Sequence, residues 1–62
     1  MVEDSKVFSG KRFYLSGIAK SHHEAEGAKS FIKDLGGSVR ILVRKQDGET
    51  TYLVYERMNG YE

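Results

Sequence analysis

The amino-acid sequence predicts a small single α/β domain, a three-stranded sheet with one helix packed on it in the order β-α-β-β. Three observations predict it: a helical stripe of apolar residues over 25–35, strict alternation over 38–45, and aromatic or β-branched runs at 11–18 and 50–55. Residues 1–6 (MVEDSK) read as a flexible acidic arm, 7–56 as the domain and 57–62 as a polar tail.

Val7-Phe8 followed by Ser9-Gly10 reads as a hydrophobic lead-in and a turn. In the first strand, Lys11 to Ile18, Phe13-Tyr14-Leu15 are strand formers and Gly17 breaks the run. Three successive apolar residues predict a strand covered on both faces, as in a parallel sheet. Ser21-His22-His23-Glu24 is a capping box: the Ser21 hydroxyl takes the Glu24 N–H, and the Glu24 carboxylate reaches back. Behind it Ala25, Ala28, Phe31, Ile32 and Leu35 form one stripe, so a helix spans 22–35 and ends at Gly36-Gly37. Gly27 costs about 1 kcal/mol relative to Ala in a helix interior, and close approach of helix to sheet is the role expected of it.

From Ser38 to Lys45, Val39, Ile41 and Val43 face one way and Arg40, Leu42 and Arg44 the other. Thr50 to Tyr55 is the last strand, and Gln46-Asp47-Gly48-Glu49 is a turn.

Composition narrows the function classes. At 62 residues the chain buries about 60% of its unfolded surface. It has no Cys, hence no disulfide framework and no thiolate zinc site. Apolar runs are too short to span a bilayer, and the acidic start lacks the apolar core of a signal peptide, so an intracellular setting (cytoplasmic or nuclear) is expected. A net charge of +1 falls short of the bias of a bulk nucleic-acid binder. These bounds exclude a membrane protein and a disulfide scaffold, and disfavour a self-contained enzyme.

The segment Phe8-Ser9-Gly10-Lys11-Arg12-Phe13-Tyr14-Leu15-Ser16-Gly17 resembles the opening of a BRCT domain, a Phe-x-Gly-Lys turn and a first strand ending in Ser/Thr-Gly. Helix 24–35 with Gly36-Gly37-Ser38-Val39 is similar to that family's first helix and second strand, and Thr50-Thr51-Tyr52-Leu53-Val54 to its third. The likeness covers about residues 7 to 55 and is closest to the type in bacterial NAD-dependent ligases and replication-factor-C large subunits. It stops before the family's second helix, fourth strand and Trp-bearing third helix. The resemblance implies parallel flanking strands. A turn like Gln46 to Glu49 more naturally closes an antiparallel hairpin.

The resemblance also implies a non-catalytic protein-interaction module of DNA replication or repair. It assigns phosphate binding to Ser16 and Gly17, with Lys20 standing in for a missing ligand; a loop leading to a helix N-terminus presents N–H donors to an anion. The ligand would be a phosphopeptide or a 5′-phosphorylated DNA end. Lys11, Arg12, Arg40, Arg44 and Lys45 form a cationic stripe for nucleic acid or a partner, against the plainer reading of edge protection. Tyr14 and Tyr55 are the aromatics expected to face outward, Tyr55 toward a partner. Arg12 to Ile18 also passes for the shorter RNA-recognition strand motif, but its longer counterpart is absent from 51–55.

His22 and His23 diverge by about 100° on a helix and cannot share a metal. Neither a catalytic triad nor a carboxylate pair can be assembled. The expected partners are therefore a protein or a second copy of the chain, then nucleic acid, with no cofactor, metal or membrane. A small regulator, of viral type, docking on a host or replication protein is the remaining alternative.

Overall fold

The structure is a computed structural model and describes residues 3–58. Its elements are β1 (Ser5–Phe8), β2 (Lys11–Ala19), α1 (His22–Asp34), β3 (Ser38–Gln46) and β4 (Glu49–Arg57). The predicted three-stranded sheet in β-α-β-β order is corrected to a four-stranded one, ordered β1-β2-β4-β3. All its pairings are antiparallel. The expected tail begins at Arg57, which closes β4, and continues beyond the described residues.

Two turns account for the correction. Ser9-Gly10 and Asp47-Gly48 each link strands through two residues with positive φ, 52° and 79° in the first, 54° and 79° in the second. Such turns match the right-handed twist of a hairpin and join antiparallel neighbours. The first turns the lead-in at Val7-Phe8 into strand β1, with Lys6 opposite Phe13 and Phe8 opposite Lys11. The second folds β4 back along β3, from Gln46↔Glu49 to Ser38↔Arg57. β4 therefore lies between β2 and β3, where the BRCT resemblance implied parallel flanking strands.

The helix forms as its sequence predicts and ends one residue early. Ser21 Oγ accepts the Glu24 N–H at 3.2 Å, and its hydroxyl donates to the Glu24 carboxylate at 3.3 Å. At the other end Leu35 is the cap. Gly36 has φ 89°, its N–H reaches the Lys33 carbonyl, and the Gly37 N–H reaches that of Ile32. These two bonds make a Schellman motif and satisfy the last helical carbonyls.

Alternation divides the core into two layers. Ala25, Ile32, Ala28, Ala19, Val54, Val39, Ile41, Tyr52 and Met58 pack between the helix and one sheet face. Phe13, Leu53, Tyr55, Phe8, Leu15 and Leu42 pack on the other face, with no helix over them. Phe13, Leu53 and Tyr55 are buried there, and the other three partly so, because the sheet curls into a half-barrel. Phe8 of β1 lies 5.8 Å from the ring of Tyr55 on β4, although β2 separates the two strands. The helix-free face is thus the concave one.

Two further features follow from this curl. Between Leu15↔Tyr55 and Gly17↔Val54, Ser16 is an extra residue in β2, a bulge of the kind that bends a strand. On the convex side the helix packs over β2, β4 and β3 through Ala25, Ala28 and Ile32. Phe31 and Leu35, expected in the core stripe, are 66% and 59% exposed: Phe31 lies about 120° round the helix from Ala25, and Leu35 is the cap beyond the last helical residue. Gly27 is also exposed, with nothing near its Cα for a side chain to meet, so close helix–sheet approach is not its role.

Candidate nucleic-acid interface

Four of the concave-face residues are cations: Lys6 and Lys11 from the first hairpin, Arg40 and Arg44 from β3. Their register fixes this. Lys6 pairs with Phe13, Lys11 with Phe8, Arg40 with Tyr55 and Arg44 with Thr51, and directly opposed antiparallel residues share a face. β1 and β3 are the two edges of the sheet, and the curl brings them toward one another. An open seam remains between them.

Two clefts lie along that seam. One, about 360 Å³, is bounded by Phe8, Ser9, Lys11 and Phe13 on one lip and by Lys33, Gly37, Ser38, Val39 and Arg40 on the other. The second, about 260 Å³, is bounded by Glu3 and Lys6 opposite Leu42, Val43 and Arg44, with Leu53 and Tyr55 at its floor. Lys11, Lys33 and Arg40 line the first cleft with no acid among them. Lys6 and Arg44 line the second, where the Glu3 carboxylate sits 3.5 Å from Lys6 Nζ. Five cations thus face one carboxylate along the seam of a chain whose net charge is only +1.

Of the stripe expected from sequence, Lys11, Arg40 and Arg44 come together here. Arg12 and Lys45 do not. Arg12 lies on the convex face, where its Nη1 donates to Ser5 Oγ at 2.9 Å and its carbonyl accepts from Arg57 Nη1 at 3.2 Å. Lys45 is opposite Thr50, next to the Asp47-Gly48 turn and one residue out of phase with Arg44. The residues missed are Lys6, read as part of a loose arm, and Lys33, near the end of the helix. The Ser9-Gly10 turn was the available signal for Lys6. Nothing local marks Lys33, because only the tertiary fold carries the last helical turn to the end of the seam.

Ser16, Gly17 and Lys20 lie elsewhere. Strand β2 runs on to Ala19, so Gly17 is paired with Val54 inside the sheet instead of leaving it in a loop. Ser16 is exposed at the bulge, and Lys20 is exposed just before the helix cap. None of the three lines either seam cleft. Tyr14 is exposed as expected, but Tyr55 is fully buried, correcting the outward orientation expected of it. Its ring lies under Phe8, and its hydroxyl donates to the Glu3 carbonyl at 2.8 Å.

A third cleft, about 380 Å³, separates the helix from β3 on the convex side. There His22 Nε2 lies 3.6 Å from a Glu26 carboxylate oxygen, and its ring meets Tyr52 edge-on at 6.1 Å. Lys29 and Arg40 also line this cleft, so two cations face the Glu26 carboxylate there, and Arg40 borders both this cleft and the seam. Among the described residues no helix is long and apolar enough to cross a membrane. Searches against family models, curated proteins and solved structures each found no match to this chain.

Proposed function

We propose that this chain is a non-catalytic binding module that holds a nucleic-acid strand along the seam between β1 and β3. The observation that carries the reading is the alignment of Lys6, Lys11, Lys33, Arg40 and Arg44 along one groove. A polyanion laid there releases its counterions, so binding weakens steeply with salt. Arg40 and Arg44 stand four residues apart on one strand, about 13 Å, and present a row of contacts instead of a point. Loss of either removes about one phosphate contact.

The test is fluorescence anisotropy of a labelled oligonucleotide over a salt series, comparing the parent chain with Arg40→Glu/Arg44→Glu. The expected result is tight binding at low salt, a steep log–log slope, and a slope smaller by about 2 in the variant. Absence of binding at low salt, or an unchanged slope in the variant, overturns the reading.

Self-association is a second reading, favoured by the exposed apolar pair Phe31 and Leu35 on the helix flank. It concerns the convex side and leaves the seam free.

A further inference from the structure

Resting on the nucleic-acid reading, we infer that the seam selects single strands over duplex, with a base seated against Phe8 in the cleft that Lys11, Lys33 and Arg40 surround. The walls of this cleft do different jobs. Phe13 is buried and offers no open ring face, whereas Phe8 is half-buried and lines the cleft. Phe8 is also held in place: Phe13 meets it edge-on at 5.3 Å and Tyr55 packs on it at 5.8 Å. A ring so braced loses little freedom when a base stacks on it, and stacking tolerates any base because every base has a π-face.

The polar lining completes a nucleotide site. Lys11, Lys33 and Arg40 line the same cleft as Phe8 and supply cations for a backbone phosphate, and Ser9 and Ser38 line it too and can offer hydroxyls to base edges. At about 360 Å³ the cleft is sized for a small group. A duplex keeps its bases stacked inside and meets only the outer cations. A single strand can turn one base inward while its backbone continues toward Lys6 and Arg44.

The experiment compares a short labelled oligothymidine, the corresponding oligothymidine–oligoadenine duplex, and inorganic polyphosphate as competitor. Phe8→Ala should weaken single-strand binding about tenfold, one stacked base's worth, and leave polyphosphate competition unchanged; Phe8→Tyr, which keeps the ring, should bind as the parent does. Should Phe8→Ala not fold, Phe8→Trp supplies the readout, because the chain has no other Trp. Its fluorescence should be quenched by oligothymidine and untouched by polyphosphate.

Equal affinity for duplex and single strand, or equal loss of oligothymidine and polyphosphate binding in Phe8→Ala, overturns base seating and leaves the polyanion groove standing. So does unquenched Trp fluorescence with oligothymidine bound. No binding of any of the three probes overturns both.

Discussion

The Tyr55 hydroxyl donates a hydrogen bond of 2.8 Å to the carbonyl oxygen of Glu3, joining the C-terminal part of β4 to the segment that precedes β1. Beside it the Leu15 N–H donates to the Asp4 carbonyl, also at 2.8 Å. Together these two bonds hold the N-terminal lip of the groove over the buried ring.

Tyr55→Phe keeps the ring and removes the donor, leaving the Glu3 carbonyl short of a partner. The expected cost is about 1 kcal/mol in urea unfolding, with faster hydrogen exchange at the Leu15 amide as the lip loosens. An unchanged midpoint and unchanged exchange would show that the bond does not hold the lip.

Gly37→Ala should destabilise by about 1–3 kcal/mol. A Cβ at this position falls 2.9 Å from Ile32 Cγ2 and 3.3 Å from the Ile32 carbonyl oxygen, besides 2.8 Å from Met58 Sδ. The Met58 thioether can swing aside. The other two atoms belong to the helix end that Gly37 itself caps, so the strain stays local. Thermal melts of the two proteins decide it.

Gly27→Ala should act in the opposite direction. The position is exposed, mid-helix and open around the added methyl, so the change yields the helix-propensity difference of about 1 kcal/mol as stabilisation. A rise in melting temperature checks this. A fall would mean that something packs on that face of the helix.

If the convex side self-associates, Phe31→Lys/Leu35→Lys should hold the chain at monomer mass over a concentration range where the parent grows. Sedimentation equilibrium measures both. The melting temperature of the dilute variant should scarcely change, because both side chains are largely exposed. A parent that stays monomeric throughout removes this reading.

What the sequence made legible was local. Ser21 with Glu24, Gly36-Gly37 and Asp47-Gly48 each carry their own hydrogen bonds or φ requirement within a few residues, and all formed as expected. Strand β1 was less legible, because four residues hold too little alternation to separate a strand from a lead-in. Tyr55 was misread because Leu53, Val54 and Tyr55 are all buried, so parity along β4 cannot tell inside from outside. The groove was half legible: Arg40 and Arg44 share a face by alternation alone, but Lys6 and Lys33 join them only through sheet order and curl.

Ser16 gives β2 one more residue than its partner needs. Removing it would leave Leu15 opposite Tyr55 and Gly17 opposite Val54, so no side chain would change sides. Only the bend would be lost. The bend in β2 is therefore set by a count, one surplus residue in one strand, and a single deletion can remove it while the hydrophobic pattern stays as written.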